Sequence, residues 1–195
     1  MGGEMNSKVG DVTVTWNNLE KTLLRIMRLW RRNAQAKLRR EGKNATGELT
    51  RSMKTRLYMM GGDIVTDITP QVLYWQYVDG GVRGSKTSPW ARQGTNPNGG
   101  RPFAFTTKKP PLDEIKTWMQ VKGIMNRDSK GRFKSGDGLA FGIQNSIFSR
   151  GLKPTFFISD TGDRIEKKYA NEIAVAYATD MGEALSKMID DKNKS

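Results

Sequence analysis

Apolar residues recur at helical spacing near the start of the chain. Five of them follow one another at steps of three or four: Leu19, Leu23, Ile26, Trp30 and Ala34. This spacing places them on one stripe and predicts a long helix from about Trp16 to Glu41, with Gly42 ending it. The stripe is expected to pack against the core.

The opposite side of this helix is basic. At 3.6 residues per turn, its Lys and Arg side chains fall within about 60° of one another. The members of this basic face are Lys21, Arg25, Arg28, Arg32 and Arg39. Such a face is either a solvated surface on a core-packing helix or a surface that meets nucleic acid or an acidic protein.

Apolar and polar residues alternate in two later runs, residues 53–60 and 63–69. Gly61 and Gly62 lie between the runs, and Pro70 follows the second. Alternation around a Gly-Gly pair predicts a β-hairpin. A short apolar run at residues 155–159 predicts one further buried strand.

Helical spacing returns in the second half of the chain. Pro110 and Pro111 open a helix that ends at Gly123, and residues 139–150 form another. The last helix is predicted over residues 162–190. Its broad apolar side comprises Ala170, Ile173, Ala174, Tyr177, Met181, Leu185 and Met188. The predicted fold class is α+β: an antiparallel β-sheet with a long N-terminal and a long C-terminal helix packed on it, plus long basic loops.

Two long loops interrupt this pattern. Residues 80–109 are rich in Gly and Pro and contain six basic residues but no acidic ones, and residues 126–138 form a second basic loop. A long loop without secondary structure, such as residues 80–109, tends to be functional or disordered when it occurs in a compact domain. The aromatic residues just before it could stack on bases, although such residues more often pack in a core or a subunit contact.

The length of 195 residues fits one domain. We predict a flexible N-terminal arm at residues 1–15, a single α+β domain at 16–190 with loop insertions at 80–109 and 126–138, and a tail at 191–195. The sequence shows no targeting segment, and its apolar runs are too short to span a bilayer, so we expect a soluble protein.

Composition narrows the possible chemistry. The chain has no Cys and no His, which excludes thiolate nucleophiles, zinc ribbons and catalytic triads that depend on imidazole. It also lacks the Gly-rich phosphate-loop motif. Carboxylate, lysine or Mg²⁺ chemistry remains open, but neighbouring carboxylates such as Asp63 with Asp67, or Asp113 with Glu114, are ordinary at hairpin and helix starts. We therefore expect no enzymatic activity, no metal site and no cofactor.

Charge points to the kind of partner. The 33 Lys and Arg residues against 20 Asp and Glu give a formal net charge of +13. Residues 1–60 contribute +8, residues 61–160 contribute +6 and residues 161–195 contribute −1. Excess positive charge favours an acidic partner, of which nucleic acid is the most common.

Several short motifs follow in an order that resembles one family. The basic helix is followed by Thr46-Gly-Glu-Leu-Thr-Arg-Ser52, the hairpin, and Tyr74-Trp-Gln-Tyr-Val-Asp-Gly-Gly-Val-Arg-Gly84. Next come Phe103-Ala-Phe, Lys109-Pro-Pro-Leu, Leu139-Ala-Phe-Gly-Ile and Gly151-Leu-Lys-Pro-Thr-Phe-Phe157. Over roughly residues 16–185 the chain resembles the tail-completion or head–tail joining (neck) proteins of tailed bacteriophages. It departs from the family's pattern at Trp75, where the family has a small residue, and keeps the acidic position at Asp79.

This resemblance implies a structural virion protein that forms a homo-oligomeric ring, six- or twelve-fold, in the phage neck. Such a ring joins the portal or adaptor side of the capsid to the tail and surrounds the channel through which the genome is ejected. The implied partners are further copies of the chain, portal or adaptor and tail proteins, and the packaged DNA. Assembly in the host cytoplasm and a final place in the virion follow, with no membrane involved.

The candidate residues fall into two groups. The basic helix face would meet the DNA channel or an acidic partner. Contacts with other subunits or partners are predicted for Tyr74, Trp75, Tyr77, Asp79, Arg83, Lys86, Trp90, Arg92, Arg101, Phe103 and Phe105. The alternative function is a nucleic-acid-binding module without sequence specificity that uses the basic helix face alone.

Overall fold

The computed structural model describes residues 5–10, 12–43, 46–86, 96, 101–125, 127, 130–131 and 136–194. Within them the helices are α1 (Asn17–Arg40), α2 (Glu48–Arg51), α3 (Trp75–Gly80), α4 (Leu112–Val121), α5 (Gly138–Arg150) and α6 (Ser159–Asn193). The strands are β1 (Asn6–Val9), β2 (Val12–Thr15), β3 (Met53–Met60), β4 (Asp63–Pro70), β5 (Val82–Arg83) and β6 (Gly151–Leu152). The α+β class is confirmed, with the long helices α1 and α6 packed on small antiparallel sheets.

Helix α1 has the bounds that its periodicity predicted. Every member of the predicted apolar stripe is buried or half-buried. The helix has Glu20 in its first turn and three basic residues in its last. These charges complement the helix dipole at both ends.

The strands form three separate two-stranded sheets, β1–β2, β3–β4 and β5–β6. Strands β3 and β4 are the predicted hairpin, joined at Gly61 and Gly62. Along β3, exposed and less exposed residues alternate from Met53 to Met60. Alternation of this kind arises because successive side chains of a strand point to opposite faces.

Residues 6–9 and 12–15, within the segment predicted to be a flexible arm, form two paired strands. Strands β1 and β2 pair antiparallel, with Asn6 opposite Thr15. Val14 is fully buried, and the Trp16 ring N–H donates a hydrogen bond to Ser7 Oγ at 2.7 Å. The strand forms because Val12 and Val14 supply the alternation of a half-buried strand.

Two predictions near the C-terminus also need correction. Residues 155–159 form no strand, although Phe157 is buried as expected. The backbone of Phe156 has a φ of 48°, in the left-handed region, which interrupts an extended conformation. Helix α6 continues to Asn193, so most of the predicted tail at residues 191–195 is helical.

The chain divides into two compact units rather than the single predicted domain. Unit 1 comprises Met1–Ala34, Met53–Thr69 and Asp160–Ser195, and unit 2 comprises Gln35–Ser52 and Pro70–Ser159. The chain passes from unit 1 into unit 2 within α1. Periodicity could not reveal this boundary, because the helical pattern of α1 runs through it without a break.

Each unit has its own buried residues. In unit 1, Trp16 packs in a cluster with Val14, Leu19, Ala176 and Ala184. The ring of Trp16 stacks on Tyr177 with 4.9 Å between the centroids. The buried apolar residues of unit 2 are Leu38, Leu49, Val82, Ile115, Ala140 and Phe157. In the described part of the chain no helix has an apolar stretch long enough to cross a bilayer.

Candidate interaction surfaces

The positive charge of the chain belongs almost entirely to unit 2. Counted from the sequence, unit 1 has 14 Lys and Arg against 13 Asp and Glu, a net charge of +1. Unit 2 has 19 against 7, a net charge of +12. The charge sums along the sequence did not reveal this division, because each unit is assembled from separate stretches of chain.

Three segments of unit 2, residues 82–86, 101–109 and 148–153, lie side by side and are called the basic sheet below. Strand β5 pairs with β6, with Arg83 opposite Gly151. On its other side, Arg83 N–H donates to the Phe103 carbonyl and the Arg83 carbonyl accepts from Phe105 N–H, both at 2.8 Å. The Lys86 N–H donates to the Ser149 carbonyl at 2.9 Å. Part of the predicted loop at 80–109 is therefore hydrogen-bonded structure.

Two glycines allow these segments to approach one another. A Cβ on Gly84 would lie 2.2 Å from the Ser149 carbonyl oxygen, and one on Gly151 would lie 2.2 Å from that of Val82. Gly151 also has a φ of 83°, which residues with a side chain rarely adopt. Only glycine fits both positions, so the sequence itself specifies the close pairing.

Aromatic side chains pack within the basic sheet and beside it. Phe103 meets Tyr77 edge to face, with 4.5 Å between the ring centroids. Phe105 lies 6.1 Å from the ring of Phe148. The predicted contact residues Phe103 and Phe105 are thus half-buried against their own chain, which limits what they can offer to another subunit.

The basic sheet presents seven exposed cations: Arg83, Lys86, Arg101, Lys108, Lys109, Arg150 and Lys153. Its three segments contain no acidic residue. Lys109 donates to Asn145 Oδ1 at 2.8 Å. Among the described residues none of the seven forms an ion pair. Arg150 and Lys153 were not among the predicted site residues, because their proximity to Arg83 appears only in the pairing of β5 with β6.

The basic helix face is exposed as predicted, since all five of its residues are exposed on α1. Arg25 differs from the others because it forms an ion pair with Glu172 of α6 and lies over the Tyr169 ring. The hydrogen bond to Glu172 raises the pKa of the Arg25 guanidinium. One member of the face is therefore partly neutralised within unit 1, and Arg39 belongs to unit 2.

The aromatic segment is partly exposed. Tyr74 and Tyr77 are exposed, Trp75 is half-buried, and Leu73 beside them is 84% exposed. Burial, and after it the neighbouring Glu48 carboxylate, raises the pKa of the Tyr74 hydroxyl. These exposures agree with a contact surface. Trp90, Arg92 and most of the predicted loop at 126–138 lie outside the described residues.

Asp79 is not a surface residue, which corrects its prediction as a contact with another subunit. Its side chain is 1% exposed, and its carboxylate accepts hydrogen bonds from Ile158 N–H at 2.8 Å and Ser159 Oγ at 3.1 Å. Burial raises the pKa of the Asp79 carboxyl, and these hydrogen bonds oppose that shift. The residue holds the start of α6, where a negative charge is favourable.

Asp180 is a buried carboxylate that the sequence did not single out. It is 1% exposed and accepts from Asn18 N–H at 3.0 Å, Leu19 N–H at 2.9 Å and Asn18 Nδ2 at 2.8 Å. It thereby caps the first turn of α1. Asp180 lies four residues after Ala176 and four before Ala184, on the buried side of α6. This spacing is the one signal in the sequence that could have indicated its role.

Helix α6 leaves an apolar stripe uncovered. Five exposed residues recur at steps of four, four, three and four, and we call them the outer face of α6: Ala174, Ala178, Gly182, Leu185 and Ile189. Leu185 is 42% and Ile189 is 55% exposed. The broad apolar side predicted for this helix is therefore only partly buried in the chain itself.

Metal sites and cavities are the other places where chemistry could occur. Within the residues that the structure describes, no cluster of three or more acidic side chains could hold a metal ion. An open depression of about 440 Å³ lies between β2 and the end of α6, lined by residues that include Val12, Ala184, Lys187 and Asp191.

Comparison of the chain with protein families, with curated proteins and with solved structures gives no match in any of the three.

Proposed function

We propose that this protein is a structural component of a bacteriophage virion that assembles into a homo-oligomeric ring in the neck. The ring joins the portal or adaptor side of the capsid to the tail and surrounds the channel through which the DNA leaves. Two kinds of observation support the proposal: the ordered series of motifs over roughly residues 16–185, and the surfaces of the folded chain.

The outer face of α6 is the observation that supports assembly most directly. Leu185 and Ile189 are large apolar residues in contact with water, and the small residues before them would allow another backbone to approach closely. Contiguous exposed apolar surface is a feature of protein interfaces. A second copy of the chain is the partner that a ring requires.

The exposed aromatic segment of unit 2 supplies a second, different surface. Leu73, Tyr74 and Tyr77 are exposed together around the start of α3. A ring of identical subunits is built from heterologous contacts, in which one surface of each copy meets a different surface of the next. Two distinct apolar surfaces on one chain fit that requirement.

The mass of the purified full-length chain tests the proposal. We expect light scattering after gel filtration to give a multiple of 21.9 kDa, and negative-stain images to show closed rings. Replacing Leu185→Glu together with Ile189→Glu should convert the rings to monomers, because it places charge in the apolar contact. Val9→Glu is the matched control, since Val9 is exposed and apolar but lies on β1.

Two results would contradict the proposal. One is a wild-type chain that stays monomeric at every concentration and is absent from purified virions by mass spectrometry. The other is a double variant that forms rings as readily as the Val9→Glu control.

A second candidate is a nucleic-acid-binding module that uses the basic helix face. The exposure of all five of its residues favours this function. However, four of the five lie in unit 1, whose net charge is only +1. Nucleic-acid binding follows the local excess of positive charge, and that excess lies elsewhere in the molecule.

A further inference from the structure

We infer that the basic sheet of unit 2, rather than the basic face of α1, is the surface that contacts DNA, and that it binds the phosphate backbone of the duplex. The choice of DNA as ligand rests on the proposed function. The location of the surface rests on the structure alone.

Charge complementarity is the first reason. Seven exposed cations and no carboxylate occur in the three segments of the basic sheet. They belong to the unit whose net charge is +12, so their field is not cancelled by the rest of that unit. Duplex DNA presents one negative charge for about every 1.7 Å of its axis, and cations near it bind by releasing counterions.

Access is the second reason. Residues paired across a ladder direct their side chains to the same side, so Arg83 shares its side with Gly151 and Ala104. Ala104 is exposed, and Gly151 has no side chain. The two residues directly opposite Arg83 therefore do not cover it, and Arg83 is itself exposed, so a phosphate can approach its guanidinium.

Preorganisation is the third reason. The backbone of the basic sheet is held by the hydrogen bonds of Arg83, Ser85 and Lys86 to the neighbouring segments. The close fit at Gly84 and Gly151 fixes the spacing between two of the segments. Cations that start from a fixed backbone lose less conformational freedom on binding than cations on a free loop.

The basic face of α1 meets these conditions less well. Arg25 is paired with Glu172, and unit 1, which contains four of the five residues of the face, has 13 acidic residues against 14 basic ones. The two surfaces present basic residues in comparable numbers. They differ in the net charge of the unit that contains them, because unit 1 has many more acidic residues than unit 2.

Binding of a short fluorescein-labelled DNA duplex of mixed sequence, measured by anisotropy between about 50 and 200 mM salt, tests the inference. The first variant changes Arg83, Lys86 and Arg150 to Gln. We expect it to bind at least about tenfold more weakly, with a salt slope flatter by about 2.7, since each lost phosphate contact removes about 0.9. The charge-matched control changes Lys21, Arg28 and Arg32 to Gln and should lose less than about twofold.

Conservative substitutions separate charge from shape. Changing Arg83 and Arg150 to Lys keeps the positive charge, and a phosphate contact tolerates this replacement, so affinity should stay within about twofold. Unchanged circular dichroism and melting midpoints show that each variant is folded. Equal weakening in both Gln variants, weakening only in the α1 variant, or no binding by the wild-type chain would overturn the inference.

The mass of each variant separates this inference from the proposed function. A Gln variant of the basic sheet that still forms rings but releases DNA supports both. Rings of the Gln variant that bind DNA as tightly as wild-type rings would overturn the inference and leave the ring intact. If the wild-type chain stays monomeric and the Gln variant binds DNA more weakly than it does, the inference is supported and the ring is contradicted.

Discussion

Units 1 and 2 differ more in charge than in architecture. Unit 1 combines helices with two small sheets and unit 2 combines them with one, and each unit contains one aspartate that is 1% exposed and serves a helix start. Unit 1 balances its charges to +1, while unit 2 keeps +12. Like charges repel and destabilise a compact state, so the excess in unit 2 does not help it fold. Unit 2 therefore keeps a charge that opposes its own folding, which is what the proposed contact with DNA would require.

Removing the cap in unit 1 should have the largest effect on stability. Asp180→Ala leaves Asn18 N–H, Leu19 N–H and the Asn18 amide without their acceptor, so we expect a loss of about 3 kcal/mol in the free energy of unfolding. Urea denaturation measures the loss. Asp190→Ala, an exposed aspartate of the same helix, should change it by less than about 0.5 kcal/mol. Equal effects of the two variants would show that Asp180 does not cap α1.

Widening the backbone pairing in unit 2 should have the next largest effect. Gly151→Ala combines a positive φ with a contact of 2.2 Å to the Val82 carbonyl oxygen, and we expect a loss of about 2–3 kcal/mol. Gly123→Ala is the control, because its φ of +64° is also positive but no atom lies within 4 Å of the added Cβ. It should cost about 1 kcal/mol. A Gly151→Ala variant no less stable than the control would remove the steric basis of the basic sheet.

The smallest of these effects concerns pH. Because burial raises the pKa of Asp79 in the folded chain, the folded state binds a proton more strongly than the unfolded state, whose pKa is about 3.9. The stability that Asp79 contributes therefore falls as the pH rises from its pKa in the unfolded state through its pKa in the folded state. Relative to Asp79→Asn, which cannot titrate, the wild-type chain should gain stability as pH is lowered from neutral towards about 4.

Urea denaturation of both proteins across that pH range measures the difference between them, so that titrations common to the two cancel. A difference that grows with rising pH instead would mean that hydrogen bonds from Ile158 and Ser159 outweigh the burial of Asp79. The pH dependence would then resemble that of an ordinary capping carboxylate, which is most stabilising when ionised.

The elements of this fold were predictable wherever a local pattern determines them. Helix α1 and the β3–β4 hairpin follow directly from periods of 3.6 and 2 in the sequence. The β1–β2 hairpin was missed because its strands are only four residues long. Residues 155–159 were misassigned because a short apolar run is equally compatible with a buried coil that contains one left-handed residue.

The interaction surfaces depend on contacts between distant residues, which no local pattern encodes. The exposed residues on the basic face of α1 were found from spacing alone, whereas Arg150 and Lys153 could be placed beside Arg83 only once β5 pairs with β6. Asp79 was predicted to contact another subunit because it lies in the Tyr-Val-Asp-Gly-Gly stretch on which the family resemblance rests. Its burial depends on Ile158 and Ser159, about 80 residues further along the chain.

The pairing of β5 with β6 also determines when the basic sheet can form during synthesis of the chain. Residues 82–86 leave the ribosome long before residues 148–153 do, so the growing chain carries its cations dispersed until the last segment emerges. Contacts between distant residues also form slowly, because a long loop must close first. The complete basic sheet that we assign to DNA therefore cannot form in a chain that ends before Gly151.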